Sequence, residues 1–131
     1  MLRAAVVGLG RIGAALDTPG SESPLTHAGG FAAHPGFELA ALCDSDEGRA
    51  TREAVRWRAS AYSSTAEMMD AERLDVVSIC TPTSEHLHTV RAVLSGRPGC
   101  IIMEKPLAGD LDQARAVVEE CSRAGVPLLV N

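Results

Sequence analysis

The chain has 131 residues, 46% hydrophobic and 22% charged, which is enough apolar material for one globular core. A net charge of −5 without a run of Lys or Arg excludes a phosphate-tracking nucleic-acid surface, and no stretch has the length of a membrane span. Twelve glycines beside one Trp, one Tyr and two Phe fit an α/β domain with tight turns better than a β-sandwich.

From the amino terminus, short β-type runs alternate with helical patterns. The run RAAVVGL (3–9) reads as a buried strand, and Arg11 to Asp17 as the start of a helix. LDTPGSESPLTH (16–27), rich in Pro, Ser and Gly, reads as a loop interrupting that helical region. FELAALC (37–43) is the second strand, Asp46 to Trp57 the next helix, and SAY (60–62) a weaker strand. Thr65 to Ala71 is helical, DVVSICT (75–81) is a strand, and Ser84 to Leu94 is helical, with Thr83 or Ser84 as its N-cap. CIIM (100–103) and PLLV (127–130) are the last strands. Between them Leu111, Ala114, Val117, Val118 and Cys121 recur at helical spacing, with Asp110 as N-cap and Gly125 at the end.

Strands alternating with helices imply crossover connections and helices on both faces of a sheet. The expectation is an α/β fold over residues 1–131, a doubly wound, mostly parallel six-stranded sheet. Cys43, Cys80, Cys100 and Cys121 are widely spaced and mostly in apolar runs, so they read as buried reduced thiols with no metal site. The amino terminus, MLRAAVVGLG, lacks a signal-peptide pattern, and a cytoplasmic protein is expected.

Directly after the first strand, GLGRIG places Gly8, Gly10 and Gly13 in GxGxxG spacing. The first glycine permits a tight turn, the second lets a pyrophosphate approach the backbone, and the third lets the helix pack on the strand. Free N–H groups at the helix start then face the anion. Asp44 follows the second strand, where a carboxylate can accept the hydroxyls of an adenosine ribose. The 16–27 segment accounts for its unusually long separation from Gly13, and Asp46 is the better helix cap. A 2′-phosphate about 4 Å from Asp44 would meet repulsion on the order of several kcal/mol, so NAD is favoured. Arg49, one turn into the next helix, keeps NADP open.

Two further strand ends carry polar residues: CTPTSEH, with Thr81, Pro82 and His86, and EKP, with Glu104, Lys105 and Pro106. In a doubly wound sheet both reach the edge where ligands bind. GLGRIG, CDSD, SICTPTSEH and MEKPLA in this order resemble the glucose–fructose oxidoreductase/inositol dehydrogenase (Gfo/Idh/MocA) family, across essentially the whole chain. That resemblance implies an NAD(P)-binding Rossmann domain. In it Gly8, Gly10, Arg11, Ile12, Gly13, Asp44, Thr81, Pro82, His86, Glu104, Lys105 and Pro106 border the cofactor. Lys105 would be the catalytic residue, contacting cofactor and substrate near the transferred hydride and orienting a hydroxyl or carbonyl oxygen. Pro106 would fix the turn, with a cis Lys–Pro bond as one form of it. The family's frequent asparagine after the proline is Thr83 here.

The resemblance also implies a second α/β domain beyond VPLLVN, carrying most of the substrate pocket and the oligomerisation sheet. These 131 residues are therefore expected to bind the dinucleotide, and to act on a sugar, cyclitol or related polyol only with that domain. A non-catalytic NAD(H)-sensing module would use the same loop without needing Lys105. An S-adenosylmethionine-binding methyltransferase domain would use the loop and the acid, but has no role for the E-K-P turn.

Overall fold

Six runs of small and β-branched residues pair side by side in one sheet in the computed structural model, which describes residues 1–131. They are β1 (Leu2–Val7), β2 (Phe37–Cys43), β3 (Ser60–Tyr62), β4 (Val76–Ile79), β5 (Cys100–Met103) and β6 (Leu128–Val130). All pairings are parallel, in the order β3-β2-β1-β4-β5-β6. This is the doubly wound arrangement expected, with the chain reversing direction between β1 and β4. The crossovers carry α1 (His27–Ala33), α2 (Glu47–Trp57), α3 (Thr65–Ala71), α4 (His86–Ser95) and α5 (Leu111–Ala124).

Strand alternation sorts the core into two layers. Ala5, Val7, Val77, Ile79, Ile101 and Met103 face Met68, Val90, Val93, Val117 and Cys121 of α3, α4 and α5. Ala4, Val6, Leu39 and Val76 face Ala28, Phe31, Ala50 and Trp57 of α1 and α2. Ser78, between Val77 and Ile79 on β4, turns its hydroxyl toward the α1 side and is completely buried.

Helix starts follow their caps. Asp46 accepts the Arg49 N–H at 2.9 Å and Asp110 the Gln113 N–H at 2.8 Å, while Gly125 ends α5 in the left-handed region at φ 68°. Neither Thr83 nor Ser84 caps α4. Thr83–Glu85 form a 3-10 turn after Pro82, and α4 begins at His86 with no side-chain cap. Two features of the first crossover depart from expectation. Arg11–Ala15 wind as a single π-helical turn rather than an α-helix reaching Asp17, and a separate helix, α1, follows the Pro/Ser segment. Glycines at 29 and 30 weaken the helical pattern there. Thr26 nevertheless caps α1 through the Gly29 N–H at 3.0 Å, and Ala28 and Phe31 bury against the sheet.

All four cysteines are free thiols. Burial pushes Cys43 up to about 11 and Cys80 up to about 12, and also raises Cys100 and Cys121. The thiolate is the reactive form. At pH 8 the native thiols are therefore expected to alkylate with iodoacetamide at least about tenfold more slowly than in urea. One fast-reacting cysteine in the native chain would contradict this.

Candidate functional site

The carboxyl ends of β1 and β4 open into a groove of about 1090 Å³. Its floor is the glycine loop. Gly8 adopts φ +89°, and a Cβ there would lie 2.6 Å from the Cys80 carbonyl carbon and the Thr81 nitrogen, so the two strand ends touch through backbone alone. Gly13 sits still closer, since a Cβ would come 2.0 Å from the Gly8 carbonyl oxygen. Around Gly10 nothing lies within 4 Å of that position, and the space opens into the groove. The N–H groups of Gly10, Arg11, Ile12 and Gly13 donate to no backbone carbonyl, which leaves four donors at the loop.

Asp44 sits at the end of β2, nearly buried. Its Oδ2 accepts the Leu9 N–H at 2.9 Å and the Arg49 guanidinium at 3.3 Å, and its Oδ1 accepts the Asp46 N–H at 2.9 Å. A carboxylate offers about four acceptor positions, so three protein donors leave about one for a ribose hydroxyl. Accepting both hydroxyls requires Arg49, which is exposed, to swing away.

On the opposite wall, Thr81 Oγ1 is buried and has no hydrogen-bond partner, the one such side-chain atom in the chain. The glycine loop, its free donors and the Asp44 carboxylate at the end of β2 together fit a dinucleotide.

Of the residues singled out from sequence, Gly8, Gly10, Arg11, Ile12, Asp44, Thr81 and Pro82 line the groove. Gly13 lies beneath it. His86 does not border it. The ring is buried at the start of α4, between the turn after β4 and the turn after β5, with Nδ1 3.1 Å from the Leu107 carbonyl and Nε2 3.0 Å from the Thr81 carbonyl; its one N–H as a neutral ring donates to one of the two. Glu104, Lys105 and Pro106 form that second turn, at the adjacent strand end, with a cis Lys105–Pro106 bond and the Lys105 side chain exposed. The groove also takes in Ser63 to Ala66 and His88, which no motif flags. Only the neighbouring ends of β2 and β3 and the turn of α4 bring them there.

A glycine loop at the switch point of a 3-2-1-4-5-6 parallel sheet defines the class as a dinucleotide-binding domain. Residues 2–131 match the oxidoreductase family with the NAD-binding Rossmann fold, Gfo/Idh/MocA, and the chain belongs to that family. It is 40% identical over 98 residues to D-apiose dehydrogenase of Paraburkholderia graminis, an alignment covering 73% of this chain and 26% of that protein. With D-glucoside 3-dehydrogenase of Escherichia coli it shares 32% over 127 residues, covering 95% of this chain and 32% of the relative. Among solved structures, the WlbA dehydrogenase of Bordetella pertussis, in complex with NADH and UDP-GlcNAcA, superposes with a TM-score of 0.84 at 26% identity. That superposition covers 99% of this chain and 37% of the other. The chain thus spans about a third or less of the length of the curated relatives named here.

Proposed function

We propose that these residues form the cofactor half of an NAD(P)-dependent dehydrogenase acting on a sugar, cyclitol or related polyol. The observation that carries this is the coincidence of the free Gly10, Arg11 and Ile12 N–H groups and the Asp44 carboxylate around one groove. A bound nicotinamide dinucleotide supplies the acceptor for hydride transfer. Gly10, Arg11 and Ile12 take the pyrophosphate on backbone donors, Asp44 takes the adenosine ribose, and Thr81 lines the wall beside them.

Lys105 is the catalytic residue. It is an exposed ammonium donor at the end of β5, able to orient a substrate oxygen beside the nicotinamide, and Glu104 and Pro106 shape its turn. His86 acts from below, its buried ring packed between the turns after β4 and β5. Lys105 is a single group, and hydride transfer needs further substrate-orienting residues from outside residues 1–131. Four unpaired thiols support a reducing, cytoplasmic setting.

NAD is the preferred cofactor, because Asp44 repels a 2′-phosphate; Arg49 is the group that would admit NADP. Titration of the 131-residue chain with NADH and NADPH tests this. Saturable NADH binding is expected, weakened roughly tenfold or more by Asp44→Ala, as for loss of hydrogen bonds to a charged acceptor. NADPH, weaker at first, should gain from the same substitution. If Asp44→Ala leaves both affinities unchanged in a folded chain, the ribose assignment is wrong.

A further inference from the structure

Below the Lys105 turn runs a chain of side-chain hydrogen bonds that the dinucleotide groove does not include. Ser78 Oγ lies 2.5 Å from His27 Nδ1, and His27 Nε2 lies 2.8 Å from Glu104 Oε1. Asn131 donates to the same Glu104 oxygen at 2.8 Å. The His27 and Glu104 side chains are only 11% and 17% exposed, and Ser78 is completely buried. A hydroxyl sealed into the central sheet meets no substrate, so the triad-like order Ser78–His27–Glu104 is not a hydrolytic centre.

With a neutral ring, one proton arrangement satisfies every contact. The Ser78 hydroxyl donates to Nδ1, and the ring's single N–H, on Nε2, donates to the Glu104 carboxylate. Burial works against the Glu104 carboxylate form, but the hydrogen bonds from His27 and Asn131, with the Lys105 charge nearby, outweigh it and hold this acid below its ordinary range. Glu104 is bonded to Lys105 through the peptide chain. Its orientation therefore sets how the turn leaves β5.

His27 reaches this position through the Pro/Ser segment. Asp17 Oδ2 accepts the Leu25 and Thr26 N–H groups at 2.7 and 2.6 Å, and Arg56 donates to the Asp17 carbonyl oxygen. Gly29 makes room for that carboxylate, since a Cβ would come 2.3 Å from Oδ2. The segment is thereby folded back so that α1 begins against β4, with His27 as its first residue.

We propose that His27, fixed on Nε2 by Ser78, is a positioning residue that orients Glu104 and so aims the Lys105 turn at the nicotinamide end of the groove, and that residues 17–26 serve to present it. The proposal rests on the reading of Lys105 as the nicotinamide-side residue. Its test compares NADH with ADP-ribose, which has the same adenosine and pyrophosphate but no nicotinamide.

The folded wild-type chain is expected to bind NADH more tightly than ADP-ribose. His27→Gln, whose amide N–H can reach the position of Nε2, should retain most of that preference. His27→Asn, whose amide matches only Nδ1, should reduce it about three- to tenfold, the equivalent of one net hydrogen bond. ADP-ribose affinity should move little in either variant. Equal wild-type affinities for the two ligands, or an unchanged preference in His27→Asn, overturn the proposal and leave the dinucleotide reading standing. Failure of both ligands to bind the folded wild-type chain overturns both. Should His27→Asn not fold, nitrogen-15 spectra of the wild-type imidazole decide. A proton on Nε2 is expected, and a bare Nε2 overturns the proposal.

Discussion

Gly13→Ala is expected to abolish dinucleotide binding and to lower stability by roughly 3 kcal/mol, the upper range for overpacking a site that cannot expand. The added methyl would lie 2.0 Å from the Gly8 carbonyl oxygen. That atom is backbone at a turn with φ +89°, where even a Cβ on Gly8 would strike Cys80 and Thr81, so it has no rotamer by which to yield. Relief requires the π-helical turn at Arg11–Ala15 to move off β1, which also removes the loop N–H groups from the groove. For a chain of this size the thermal midpoint should fall by about 10 °C. Gly10→Ala is the control. Its Cβ meets nothing within 4 Å, so stability should change by no more than about 0.5 kcal/mol. Its methyl nevertheless occupies space in the groove, and NADH affinity should drop by about tenfold or more. Calorimetry and ligand titration on both variants separate the two effects. Equal stability losses at 10 and 13 would show that the loop's glycines are not divided between packing and access.

Acid is expected to release residues 17–26 before the sheet melts. Burial disfavours the Asp17 carboxylate, yet the Thr26 hydroxyl, the Leu25 and Thr26 N–H groups and the Arg56 charge outweigh it and hold the acid below its ordinary value of 3.8. A group depressed on folding stabilises the native chain fully above its unfolded value, and loses that contribution as pH falls toward the folded value. Glu104 has the same sign. So do Asp46, held down chiefly by the Arg49 N–H, and Glu120, held down chiefly by Arg91, so no stability is lost through these groups near neutrality. Hydrogen exchange at the Leu25 and Thr26 amides should quicken, relative to intrinsic rates, by roughly three- to sevenfold between pH 6 and pH 3, about the most that one carboxylate with an ordinary value of 3.8 supplies by that pH. Asp17→Asn should show most of that loss already at pH 6. Protection in Asp17→Asn that matches wild type at pH 6 would remove Asp17 as the latch.

The amino-acid sequence by itself determined the sheet and the floor of the groove. Alternating apolar runs announce strands whatever their neighbours, and the spacing of Gly8, Gly10 and Gly13 expresses a steric demand that is local to one turn. Asp46, Asp110 and Gly125 were legible for the same reason, since caps act within a few residues. Helix α1 was not, because two adjacent glycines mask a helix whose stability comes from Asp17 behind it and from Phe31 against the sheet. His86 stood in the right motif, but its ring faces two carbonyls beneath the groove rather than the ligand space, and motif spacing carries no direction for a side chain.

The association of Ser78, His27 and Glu104 belongs wholly to the tertiary structure. Fifty-one residues separate Ser78 from His27, and seventy-seven separate His27 from Glu104. Only the parallel crossovers set α1 over β1 and β2, so that its first residue reaches Ser78 of β4, and bring the end of β5 beside it. Local chemistry is written in neighbouring residues, whereas a hydrogen bond between distant ones exists only once strand order and register have brought its partners together.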